Sequence, residues 1–269
     1  MTVENTASDT ALIGPGDPAP FELLNPESEL PVLLICDHAS KAVPREMNNL
    51  GLDDATMDLH VGWDIGAAAV ARQLANNLNC MAVLAGYSRL VIDNNRQPGD
   101  PTGIPAASDD IVIPGNQNLT EAEQIARTDQ FFWPYHHAIT DAIAHLWRNG
   151  LPPAVFSVHT FTPSMNGEDR LWHIGVLWNR DPRMAKPLIH QLRDHGEGFH
   201  VGDNQPYSGK DIAFSLDMHA GGAGLPHCAV EIRQDLVTTP SGAGYWAEIL
   251  AEVLRDILSI DELHKVEHF

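Results

Sequence analysis

The chain has 269 residues, 43% hydrophobic and 19% charged, a composition that supports a packed core and excludes extensive disorder. Its formal net charge of -20, from 36 Asp and Glu against 16 Lys and Arg with no basic cluster, argues against nucleic acid or an anionic membrane surface as partner. The longest apolar runs are strand-sized and too short to span a bilayer, and Cys36, Cys80 and Cys228 are too widely spaced to suggest a disulfide framework or a C-x-x-C metal clip.

Residues 1–25 are polar and rich in Thr, Ser, Pro and Gly, and read as a loose tail ahead of a single domain over 26–269. Residues 1–5 have neither the basic start nor the apolar block of a secretory signal, so a cytoplasmic location is expected. The apolar run at 31–36 predicts a buried strand running straight into Asp37, His38, Ala39 and Ser40. Asp64 opens a helix as N-cap, with Ala67, Val70, Ala71, Leu74 and Leu78 on one face. Residues 81–85 and 89–92 read as the next strands, and the Pro-, Gly- and Asp-rich stretch 98–118 as a long loop of the kind that serves function. Thr120 and Glu123 form a capping box for a helix carrying Ile125, Phe132, Ile139, Ile143 and Leu146, kinked at Pro134. Strands follow at 154–158, ending at His159, and at 173–178. Asp181 and Pro182 start a helix that Gly196 terminates. Residues 202–224 are loop-rich, 228–233 form a strand, and 241–258 an amphipathic helix. Strands alternating with helices predict a three-layer αβα domain with a mixed, largely parallel central sheet, whose ligands sit beyond the strand ends.

The residues fit for chemistry stand at those ends. His38 and His159 each terminate a buried strand, and Glu231 lies within a third, sharing a strand face with Arg233. A lone histidine of this kind is most often structural; two of them with an embedded carboxylate suggest a metal site. A catalytic zinc takes three His or carboxylate ligands and keeps one position for water, whose pKa it lowers from about 15.7 toward 7. A carboxylate outside the ligand set then moves the proton, the role suited to Glu231. The third ligand comes from the segment holding Asp58, His60 and Asp64; Asp64 is preferred, with His60 and Asp58 as alternatives. Arg89 and Arg96 can clamp substrate carboxylates bidentately or pair locally with Asp93. No G-x-S-x-G elbow or phosphate-cradling loop is present.

Taken in order from about Leu34 to Leu236, these segments resemble the N-formylglutamate amidohydrolases, zinc hydrolases of a carboxypeptidase-like α/β fold. The resemblance is carried by His38, the run from Tyr87 to Arg96, His159, Asn204-Gln205-Pro206-Tyr207-Ser208-Gly209, His219 and Val230-Glu231-Ile232-Arg233. It implies a metal on His38 and His159, Glu231 as general base, Arg89 and Arg96 facing a small acidic substrate, and His219 close by. Two departures stand out: Asp37-His38-Ala39-Ser40 replaces the family's Pro-His-Ser-Gly, and Lys41 occupies the position where a carboxypeptidase-type H-x-x-E would place its glutamate. The expected reaction is hydrolysis of N-formylglutamate to glutamate and formate. The alternatives are a zinc peptidase or amidase acting on another acidic amide, and a non-catalytic binder of an acidic ligand.

Overall fold

The computed structural model describes residues 11–269; the first ten positions of the expected tail lie outside the described residues. The strands are β1 (Phe21–Leu24), β2 (Val32–Cys36), β3 (Met81–Ala85), β4 (Ala107–Ser108), β5 (Ile111–Val112), β6 (Ala154–Phe161), β7 (Ser164–Met165), β8 (Glu168–Asp169), β9 (Ile174–Leu177), β10 (Val201–Asp203) and β11 (His227–Arg233). The α-helices are α1 (Asp54–Met57), α2 (Ala67–Leu78), α3 (Glu121–Arg127), α4 (Trp133–Asn149), α5 (Ala185–Asp194), α6 (Phe214–Leu216) and α7 (Pro240–Leu258).

Seven strands form one sheet in the order β1-β3-β2-β6-β11-β9-β10, while β4-β5 and β7-β8 are small separate hairpins. Strands β3, β2, β6 and β11 run parallel, and β1 and β9 join them antiparallel. The alternation of side chains along each strand decides what each face meets. Leu34, Phe156, Val158 and Val230 point to one side and pack against α2, α5 and α7 through Leu74, Leu188 and Leu250. Leu33, Ile35, Val155 and Ala229 point to the other, against Tyr135, Ile139 and Leu146 of α4. Both faces are therefore apolar, as expected for a sheet with helices on both sides. No helix among the described residues is long and apolar enough to cross a membrane.

Several local expectations change. The stretch up to residue 25 is not loose at its end, because Phe21–Leu24 pairs with β3 as an edge strand. Residues 89–92 are a turn, closed by Val91 N–H donating to the Ser88 carbonyl; their apolar side chains fill a third core with Tyr87, Phe131 and Phe132. Strand β6 continues past His159 to Phe161. The expected long helix is in three pieces, with a π turn at Thr128–Phe132 between α3 and α4 and Pro134, which lacks an N–H, at the start of α4. The capping box of Thr120 and Glu123 is formed. Helix α5 begins at Ala185 rather than Asp181, whose carboxylate instead holds the Arg183 guanidinium and backbone N–H.

Asp64 does not cap α2. That helix starts after Gly66, whose φ of 86° places it in the left-handed region and whose Cβ, if it had one, would sit 2.6 Å from Val237. The chain thus turns sharply between Asp64 and the helix, freeing the carboxylate to face the sheet.

Candidate active site

The two-residue alternation that fills the α4-side core with Leu33, Ile35, Val155 and Ala229 continues past the apolar part of the strands. It brings Asp37, Ser157, His159 and Glu231 onto the same face, and the β6–β11 register sets Glu231 beside His159. His38 follows Asp37 at the end of β2. Each of these groups is buried: Asp37, His38, His159 and Glu231 expose 6% of their surface or less.

His38, Asp64 and His159 form a group that could hold a metal ion, their donor atoms all lying within 4.8 Å of one another. Asp64 Oδ2 is 3.4 Å from His38 Nδ1 and 2.8 Å from His159 Nδ1. Donors about 2.0–2.2 Å from a shared tetrahedral ion are roughly 3.3 Å apart, and these two separations bracket that value. The opposite nitrogen of each ring has its own carboxylate: His38 Nε2 is 2.7 Å from Asp93 and His159 Nε2 is 3.1 Å from Asp37. Such pairing fixes ring orientation and sets each Nδ1 toward Asp64, so that with Nε2 donating to its carboxylate each Nδ1 would be free to ligate an ion, the arrangement that metal-bound imidazoles adopt.

Electrostatics fit a cation at that point. Three buried carboxylates, Asp37, Asp64 and Asp93, are accompanied by one guanidinium, Arg89, which reaches Asp93 at 2.9 Å and Asp64 at 3.4 Å. Uncompensated buried charge is costly, and without a cation the imidazoles take protons instead. Burial by itself would lower the His159 pKa, but the hydrogen bonds and charges of Asp37 and Asp64 outweigh it and raise the pKa well above the ordinary imidazole value; His38 is raised by Asp93 and Asp64 against burial and Arg89. Asp37 responds in the opposite sense: burial pushes its carboxyl up, but His159 and Ser215 hold it at about 2. Glu231 is governed by burial, which lifts it to about 7 despite the pull of His159. Its Oε2 has no hydrogen-bond partner among the described residues.

His38, Asp64, His159 and Glu231 open onto a cavity of about 190 Å³, lined also by Arg89, Arg96, Asn95, Thr160, Tyr207 and Met165. Of the expected site residues, His38, Asp64, His159, Glu231, Arg89 and Arg96 come together here. The two alternatives to Asp64 are engaged elsewhere: exposed Asp58 pairs with Lys41, and His60, at the cavity rim, lies 2.6 Å from Asp109. Arg233 and His219 do not line the cavity. Although Arg233 shares a strand face with Glu231, it stands at the end of β11 and turns to Asp235 at 2.8 Å. His219 is carried on a π turn facing α4, where its Nε2 is 2.7 Å from His136 Nδ1. A larger cavity of about 430 Å³, bounded by Asp181, His227 and Phe269, lies apart from this group.

Sequence reasoning missed Asp37 as a partner of His159 and considered Asp93 only as a partner for arginine. The available signal was the chemistry itself, since a ligating histidine needs an acceptor for its second ring nitrogen and Asp37 has the right strand parity.

A family model described as N-formylglutamate amidohydrolase matches residues 30–238. None of the curated proteins matches the chain. Among solved structures, a gene product of Agrobacterium tumefaciens is 34% identical with a TM-score of 0.88, over 93% of this chain and 98% of its own. An N-formylglutamate amidohydrolase of Ralstonia eutropha has the same fold at 20% identity, with a TM-score of 0.71 over 89% of this chain and 97% of its own. The family model covers most of the sheet and every residue of the buried cluster, and this chain belongs to the N-formylglutamate amidohydrolase family, enzymes of amide hydrolysis.

Proposed function

We propose that the chain hydrolyses N-formylglutamate to glutamate and formate, with one zinc ion held by His38, Asp64 and His159. One arrangement supports the reading: three buried donor atoms converge, each imidazole is braced from behind by its own carboxylate, and Glu231, whose Oε2 has no hydrogen-bond partner among the described residues, stands beside His159 in the same cavity. Two imidazole nitrogens and one carboxylate oxygen are a donor set suited to zinc, with a coordination position left over. A bound zinc ion would supply Lewis acidity, polarising the amide carbonyl and acidifying water enough for attack at neutral pH.

The protein's own groups do the rest. Glu231, whose carboxyl burial pushes upward, accepts a proton from the attacking water and returns it to the nitrogen of the departing amine. Arg96 faces the cavity without a carboxylate partner among the described residues, and binds a substrate carboxylate as a planar fork. Arg89 lines the same wall, but its charge is already shared between Asp64 and Asp93, so its part is to balance those carboxylates and to orient substrate. The cavity, smaller than the roughly 300–1,000 Å³ of drug-sized sites, favours a single acylated amino acid over a peptide.

The test is formate release from formylglutamate by the purified enzyme, run beside acetylated amino acids and short peptides. Glu231→Gln is expected to keep its metal and lose turnover by about 100-fold or more. Undiminished turnover in a folded, metal-loaded Glu231→Gln protein refutes the assignment, and hydrolysis of the other amides without formate release moves the substrate elsewhere.

A further inference from the structure

The Asn204–Gly209 segment stood out in the sequence and has no part in the chemistry above. We propose that Tyr207 is a catalytic residue, donating its phenolic hydrogen to the amide carbonyl oxygen of the substrate, and that Arg170 is the residue that positions it; this rests on the amide-hydrolase reading of the cavity.

Tyr207 lines the cavity together with His159, Asp64 and Glu231. Its hydroxyl oxygen accepts a hydrogen bond from Arg170 Nη1 at 2.9 Å, while its own hydrogen is given to no acceptor among the described residues. A phenol whose lone pair is occupied by a cationic donor has its hydrogen left over, and the cation strengthens that hydrogen as a donor. Burial raises the Tyr207 pKa against the influence of Arg170, so the hydrogen is retained at neutral pH. The same cavity wall carries Glu231 and Arg89, so the hydroxyl and the reacting groups share one small space.

Arg170 is itself built in. Its guanidinium donates to Thr162 Oγ1 at 3.3 Å, lies 2.6 Å from Met165 Sδ, and stacks 4.9 Å from the Tyr207 ring and 5.8 Å from that of Phe161. It has no carboxylate partner among the described residues, although acidic residues outnumber basic ones in this chain.

The turn carrying Tyr207 is seated tightly. Asn204 Oδ1 accepts from Trp178 N–H at 2.9 Å and from Gly209 N–H at 3.0 Å, closing the segment on itself and on the end of β9. The Gln205 carbonyl occupies the space where a side chain at Gly175 of β9 would begin, and a Cβ at Gly209 would lie 2.6 Å from the Trp178 backbone. A donor fixed in place before the reaction has nothing to reorganise when charge develops on the carbonyl oxygen, which is where such a group accelerates most. A substrate carboxylate is better met by the guanidinium of Arg96 than by a neutral phenol.

The experiment compares wild type, Tyr207→Phe, Arg170→Gln, Arg170→Lys and the Tyr207→Phe/Arg170→Gln double variant, on whichever N-acyl amino acid the wild type turns over. Metal content and thermal unfolding are followed alongside. Tyr207→Phe should lose about 100-fold in kcat with little change in KM. Arg170→Gln should lose a comparable factor, Arg170→Lys should recover part of it, and the double variant should be little worse than Tyr207→Phe alone. Three outcomes overturn the proposal: unchanged kcat in Tyr207→Phe, a loss confined to KM, or losses that multiply in the double variant. A wild type that hydrolyses no N-acyl amino acid at all overturns the hydrolase reading and this proposal together, and is distinguishable from those three.

Discussion

Replacing Asp37 by Asn tests whether the two histidines are held as metal ligands. Asp37 Oδ1 accepts from Ser215 Oγ at 2.6 Å and from Tyr135 Oη at 3.0 Å, and Oδ2 lies 3.1 Å from His159 Nε2. An asparagine can keep the first two bonds through its carbonyl oxygen, which places its NH₂ against His159. With the Nδ1 lone pair of His159 directed at an ion, Nε2 carries the hydrogen, and donor then opposes donor. Losing one buried charge-assisted bond and leaving its donor unpaired costs about 2–4 kcal/mol. A ligand freed from its partner binds metal about 10–100-fold more weakly. The stability term depends on pH with a definite sign. The folded carboxyl sits at about 2, below the ordinary 3.8, so the advantage of Asp over Asn is complete above about pH 4 and fades as pH falls toward 2. Zinc affinity is measured by competition with a chromophoric chelator, and stability by urea unfolding of the metal-free protein. A folded Asp37→Asn protein that binds zinc as tightly as wild type refutes the reasoning.

Other expectations follow from the same geometry. Arg96→Gln removes a cavity guanidinium, and should lower kcat/KM for an acidic substrate by about 10–100-fold with little effect on unfolding. The adjacent buried pair His136 and His219 is held neutral, each lowered to about 4, chiefly by burial. This pair therefore binds more protons in the unfolded chain between pH 6.5 and 4, and its contribution to stability should fall as pH drops through that window by at most about 3 kcal/mol per histidine, opposed by Glu231, which is raised to about 7; His219→Gln should flatten the pH dependence that the pair contributes in urea unfolding. Gly175→Ala would push a side chain into the Gln205 carbonyl, and should cost about 1–3 kcal/mol and displace the Tyr207 turn, read as lower Tm together with lower kcat.

Periodicity reached far in this chain. The continuous apolar runs gave β2, β3, β6 and β11 because strands covered on both faces need no polar alternation; the ends of two expected strands pointed to His38 and His159, and a carboxylate embedded in a third pointed to Glu231. What failed were segments whose burial is not provided by the sheet. Leu90, Val91 and Ile92 looked like a strand but pack into a satellite core over a turn. Asp64 had the position of a helix cap, and only the left-handed Gly66 next to Val237 shows why the helix starts later. Asp37 and Asp93 were hidden because their partners lie 122 and 55 residues away, a distance no local pattern spans. Arg233 had the right strand parity and still leaves the site, because parity fixes a face and not where a long side chain ends.

Whether His38, Asp64 and His159 share an ion is decided most directly by counting metal in the purified protein. Titrating metal-stripped wild type with zinc should give one tightly bound ion per chain, with protons released as the raised imidazoles surrender them. His159→Ala should lose that binding while remaining folded. Stoichiometric zinc retained at full affinity by His159→Ala, or none bound by the wild type, would contradict the account.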